Sequence, residues 1–164
     1  MEDEASRPDR PALYDPDIHP ELYDNVLSKR IVAFFIDALI VILLMIPAAL
    51  VIFIVGVVTF GIGWVLYSAL FAIVALGYIW LTLGGPGSAT LGMRATGITM
   101  RTWNGGRSFP LLAVMHALIF WFSVGLLTPL ILLIGLFTRR RQLLNDLLLG
   151  TVIVNADPIG ALED

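Results

Sequence analysis

Between Asp37 and Arg94 the chain carries no charged side chain. A soluble fold cannot easily absorb such a run, because globular domains carry roughly 25% charged residues to keep their surface wet. Here charged residues make up 14% of the chain and hydrophobic ones 58%. In water that balance would leave large apolar patches exposed, whereas lipid accommodates them. The uncharged run has room for two segments of about 20 residues, each long enough to cross a bilayer. The 164 residues suffice for one domain. With no cysteine, disulfides, Cys-based zinc sites and thiol chemistry are excluded.

The pattern predicts an all-α membrane protein with two full transmembrane helices, a third membrane-embedded segment and a small β-pair at the membrane surface. Residues 1–25 hold eight acidic side chains against Arg7 and Arg10, with four prolines, and read as a disordered acidic tail rather than a signal peptide. Ser28 suits the cap of a first span over Ile31–Val55, with Lys29 and Arg30 placed to snorkel and Pro47 placed to kink it. Gly56, Gly61 and Gly63 mark a turn, Trp64 and Tyr67 suit the interface, and the second span runs Ile62–Leu83. Alternation in Ile98–Trp103 and a second strand-like run, Thr151–Val154 after Gly150, predict two strands that pair. The membrane domain then occupies residues 26–155, with a C-terminal tail at 156–164.

Residues 109–138 are apolar apart from His116, are broken by Gly125 and Pro129, and end at Arg139–Arg141. They are read either as one span or as a helical hairpin. The hairpin keeps Lys29, Arg30, Arg94, Arg101, Arg107 and the arginine triplet on the cytoplasmic side, as the positive-inside tendency favours. Its arms of about 13 residues reach only about 20 Å. Both termini are then expected in the cytoplasm of a bacterial cell, with the chain multi-pass in the inner membrane.

Asp37 is the most informative side chain. A carboxylate in mid-span costs roughly 2.5–3.5 kcal/mol on insertion scales, and less near the interface. It is either an ion or proton site, or half of a buried pair that fixes helix register. Arg30 lies seven residues earlier on the same helical face. Asp146 sits near the edge of a short stripe formed by Leu143, Leu144, Leu147 and Leu148, which reads as an interfacial helix. It is either solvated or paired with Arg30 or Arg94. His116 is a candidate proton relay, or else makes one hydrogen bond inside the bundle. The arginine triplet reads as a topology anchor that touches anionic lipid. The glycines of Gly87–Arg94 have phosphate-loop spacing, but Met93-Arg94 replaces the required Lys-Ser/Thr and no strand precedes, so nucleotide binding is rejected. No Ser/His/Asp constellation or metal-ligand cluster is visible, so no enzyme, metal or cofactor is expected.

Four of these features in order resemble the RDD family of bacterial membrane proteins. They are Arg30, Asp37 within the first helix, Thr90-x-Gly92-x-x-x-x-Gly97, and Leu144-Asn145-Asp146-x-x-x-Gly150-Thr151. Two departures stand out. Asn145 replaces the histidine common before the last aspartate, and Met93 stands where a lysine is usual. The resemblance implies transport, with sodium–proton antiport attributed to some members. The expected function is therefore exchange of a monovalent cation and a proton at Asp37, within a polar cluster of Arg30, Asp37, Asp146 and Arg94. One copy has few helices to enclose a path, so a homo-oligomer in the lipid bilayer is expected, without nucleic acid. The rival expectation is a non-transporting scaffold or partner-binding membrane protein whose Arg/Asp cluster only fixes the fold.

Overall fold

The uncharged run becomes two long apolar helical segments that return the chain to the end from which it set out. The structure, a computed structural model, describes residues 14–102, 105–127 and 142–163. Helix α1 spans Val26–Val58, about 50 Å at 1.5 Å per residue. It starts before the expected Ile31, capped by Asn25 in the left-handed region (φ 54°), a conformation Asn tolerates better than most residues. Ser28 therefore lies inside the first turn rather than at the cap, and Lys29 and Arg30 are helical. The helix continues through Pro47.

The turn after α1 depends on small residues. Gly61 has φ +96°, and a Cβ on Gly56 would overlap the Trp64 indole. The Thr59 hydroxyl accepts the Gly63 N–H (2.8 Å) and donates to the Val55 carbonyl (2.7 Å). Tyr67 donates to the Ala49 carbonyl (2.8 Å), tying the returning chain to α1. The expected second span is not α-helical throughout: Ile62–Ala69 is a 3₁₀ helix, which passes into α2 at Leu70–Thr82. Together they form one apolar segment of 21 residues that, like α1, is long enough to cross a membrane. Their outer faces are bare hydrocarbon, with Phe35, Val58 and Phe60 exposed by 66, 71 and 99%.

After Gly84–Gly85 come α3 (Leu91–Ala95), β1 (Ile98–Thr102), α4 (Pro110–Leu127), α5 (Leu144–Leu149), β2 (Thr151–Asn155) and α6 (Ala156–Glu163). The two strands pair antiparallel as predicted, with Ile98 opposite Asn155 and Thr102 opposite Thr151. Nearly every residue in the pair is buried within the protein. Successive side chains point to opposite faces. Ile98, Met100 and Ile153 pack on Val26, Ala33 and Met93, while Val152 and Val154 pack on Tyr14, Leu22, Tyr23 and Ile159.

That second face changes the reading of both tails. From Tyr14 onward the segment before α1 is folded, with a 3₁₀ turn at Pro20–Tyr23 and Tyr14 and Leu22 fully buried. Three apolar side chains (Tyr14, Leu22 and Tyr23) spaced among the acidic residues suffice to anchor it. At the other terminus α6 buries Ile159 in the same cluster.

Helix α4 is continuous past Gly125, so its 18 residues make an arm of about 27 Å. This is longer than the hairpin arms expected from a break at that glycine. Pro129 and Arg139–Arg141 lie outside the described residues. Helix α5 is present but turned the other way from the leucine-stripe reading. Asn145 and Asp146 are buried, while Leu147 and Leu148 are exposed by 48 and 64%. A buried charge partner outweighs the leucines here, since Asp146 is held inward by its bond to Arg30.

Candidate functional site

Asp37 sits on α1 where α2 and the start of α3 converge. Its Oδ1 accepts the Tyr78 hydroxyl (2.5 Å) and the Gly92 N–H (2.7 Å), and its Oδ2 accepts the Thr90 hydroxyl (2.6 Å). The donors are themselves held. Tyr78 accepts the Leu91 N–H (3.0 Å), and Thr90 accepts the Met93 N–H (3.1 Å) as the cap of α3. Such close contact requires glycine at 92, where a Cβ would strike the Ala33 carbonyl and come within 2.8 Å of the Asp37 carboxyl. Every group bonded to this carboxylate is neutral, and among the described residues no cation pairs with it. It is a half-buried charge held by three neutral donors.

Asp37 also lines an apolar groove of about 550 Å³ between α1, α2 and α4. Its remaining lining is hydrocarbon and aromatic except for Tyr78 and Thr90, whose hydroxyls bond Asp37, so the side-chain oxygens among these residues gather at one end.

The other two charges of the predicted cluster meet elsewhere. Arg30 Nη1 donates to Asp146 Oδ2 at 2.5 Å, with the arginine side chain 10% exposed and the carboxylate fully buried. Asp146 also accepts the Leu143 N–H (3.0 Å) and the Thr151 hydroxyl (3.3 Å). Burial alone would raise the Asp146 pKa, but the Arg30 charge and the Leu143 N–H outweigh it and hold the carboxyl below its ordinary range. Of the two expectations for Asp146, solvated or paired, the structure shows the pair. Arg30 is buried in it rather than snorkelling, while Lys29 donates to Asn155 Oδ1 (2.6 Å).

His116 joins this second group. Its Nε2 lies 2.7 Å from the Asn145 amide nitrogen, and its Nδ1 lies 3.7 Å from Asp146 Oδ1. With the amide donating, the ring proton sits on Nδ1, facing the carboxylate. His116 thus places an imidazole beside Asn145 from α4. No contact links His116 to Asp37 among the described residues. Arg94 belongs to neither group: it is exposed, and its guanidinium lies over Gly87. The predicted single cluster is two, separated along α1 by seven residues, or about 10 Å.

Sequence reasoning did not identify Tyr78, Thr90 and Gly92 as the partners of Asp37. Thr90 and Gly92 carried a signal only as part of a glycine-spaced motif. Tyr78 carried a physical one, since a hydroxyl inside an otherwise apolar span needs a partner.

No match is found among curated proteins or among solved structures. The sequence model of the RDD family matches residues 26–150, a stretch that takes in Arg30, Asp37, the Thr90–Gly97 motif and Asp146. The family and the two apolar helices together support a membrane protein. On the extent of that match, the chain belongs to the RDD family.

Proposed function

We propose that this protein is a non-enzymatic transporter of the bacterial inner membrane, in which Asp37 exchanges a proton for a monovalent cation. The observation that carries the reading is the Asp37 carboxylate itself, held by three neutral donors, with no cation paired to it among the described residues, and facing a groove. A charge kept in apolar surroundings without a permanent partner is placed to take up a mobile one. The Arg30–Asp146 pair is the clamp that holds α5 to α1 and leaves Asp37 free of that task.

The packing supports a topology with both ends in the cytoplasm. Ser108, just before α4, donates its N–H to Ser88 Oγ (2.9 Å), and the Ser88 carbonyl accepts from Met100 of β1 (2.9 Å). Gln142, where the described chain resumes, donates to the Thr151 carbonyl of β2 (2.7 Å). The chain therefore leaves and returns at the same end, which favours a paired excursion over a single crossing. The multi-pass arrangement then keeps the basic residues together. Closing a path around Asp37 calls for more helices than one copy has, so the working unit is a homo-oligomer.

Purified protein in sealed vesicles tests the exchange, with internal pH followed as a panel of inorganic and organic monovalent cations is imposed. The wild type should move protons against at least one cation, and Asp37→Asn should fold yet not do so. Absence of exchange across the panel would leave the scaffold reading in its place.

A further inference from the structure

We infer that the groove ending at Asp37 is a binding site for a lipophilic organic cation rather than for a bare inorganic ion. The inference deepens the exchange reading and rests on it for biological role, though binding itself does not require transport.

A bare ion needs a shell of oxygens to replace its water. Among the described residues, the groove's side chains offer oxygen only from Asp37, Tyr78 and Thr90, and both hydroxyls already point their hydrogens at the carboxylate. Among the described residues, no group of three acidic, histidine or cysteine side chains gathers there or elsewhere. The volume of about 550 Å³ falls in the range of organic-ligand pockets. From Asp37 to Met45 the lining follows α1 for two turns, about 12 Å, a length that an ion would leave almost empty.

The surfaces also suit a bulky cation. Phe71 and Trp121 line the groove with their rings 5.3 Å apart, and Phe34 and Phe120 line it with theirs 6.1 Å apart. Aromatic faces attract cations, most strongly where water is excluded. A delocalised organic cation loses little hydration on entering, can lay its apolar groups on these rings, and meets its counter-charge at the polar end. The rim residues Phe34, Ile42 and Phe71 are each more than half exposed, so such a ligand can enter sideways from the bilayer.

Tetraphenylphosphonium is a suitable probe, because it is cationic and aromatic and has no hydrogen-bond donor. Its equilibrium binding to the full chain in lipid nanodiscs is measured with empty nanodiscs subtracted. The wild type should bind it saturably. Asp37→Asn, which removes the counter-charge, and Ile42→Trp, which fills the groove from an exposed position, should each weaken binding about tenfold or more. Arg94→Ala should bind as the wild type does. Thermal melting of each variant confirms that it is folded, and Ile42→Trp keeps the test open should Asp37→Asn fail to fold. No saturable binding by the wild type, or equal binding by the wild type and Asp37→Asn, would overturn the proposal. So would loss of binding when ethanolamine lipids replace choline lipids, which would make a lipid head group the occupant. Proton exchange against an inorganic cation without tetraphenylphosphonium binding refutes this inference alone. Binding without any exchange supports it and counts against the transport reading.

Discussion

Two carboxylates lie inside this apolar protein, and their surroundings differ in almost every respect. Asp146 is fully buried, bonded to Arg30, and flanked by a backbone N–H and a hydroxyl. Asp37 is half-buried, bonded only to neutral donors, and faces a groove. The first arrangement is stable only while both charges are present. The second has no cationic partner among the described residues that removal of its charge would leave uncompensated. The same residue type thus acts as a clamp at one position and as an open site at the other.

The largest expected effect comes from breaking the clamp. Arg30→Ala or Asp146→Ala leaves a buried charge uncompensated, which typically costs 3–5 kcal/mol. Either change should sharply lower the yield and melting temperature of detergent-solubilised protein. Acid probes the same pair. Because the folded pKa of Asp146 is depressed, its contribution is complete above the ordinary carboxyl value and is lost as pH falls through the folded one. Between neutrality and mildly acidic pH the clamp should therefore contribute no pH dependence. A loss of stability in that window that disappears in Asp146→Asn would contradict the assignment.

Next in size is Gly92→Ala, which acts on the other carboxylate without touching any charge. The added methyl would meet the Ala33 carbonyl and the Asp37 carboxyl, and overpacking of this kind costs about 1–3 kcal/mol. Proton exchange should suffer along with stability, since the Gly92 N–H is one of the three donors. Asp37→Asn should cost less, about 1 kcal/mol, because charge-assisted bonds become neutral ones about half as strong while the hydroxyls can reorient. Of similar size is Lys29→Met, which removes one partly buried hydrogen bond to Asn155 and should lower stability by roughly 0.5–1.5 kcal/mol. Chemical unfolding curves would place all of these on one scale.

Much of this architecture is legible in the sequence, because hydrophobic length and strand alternation are local signals. The two apolar spans follow from the missing charges, and the strand pair from alternation at Ile98–Trp103 and the β-branched run at Thr151–Val154. The turn at Gly61 follows from its glycines, but the 3₁₀ winding after it does not, since the tyrosine–carbonyl contact from Tyr67 to Ala49 is tertiary. The same holds for the N-terminal segment, where composition argues for disorder yet Tyr14, Leu22 and Tyr23 find a buried strand face. The site was half legible. Charged residues in apolar surroundings single out Arg30, Asp37 and Asp146, but nothing in their spacing says which of them meet. That depends on α5 presenting Asp146 inward to Arg30 and Leu147 and Leu148 outward, a choice made by the ion pair rather than by helical periodicity.

The division into clamp and open site is tested most directly by double-mutant cycles on folding stability, using Arg30→Ala, Asp146→Asn and Asp37→Asn singly and in pairs. Residues that share an ion pair couple by about 0.5–3 kcal/mol, whereas sites about 10 Å apart with no shared partner add within about 0.5 kcal/mol. The account predicts that Arg30 and Asp146 are strongly coupled and that Arg30 and Asp37 are additive. Strong coupling between Arg30 and Asp37, or additivity of Arg30 with Asp146, would contradict it.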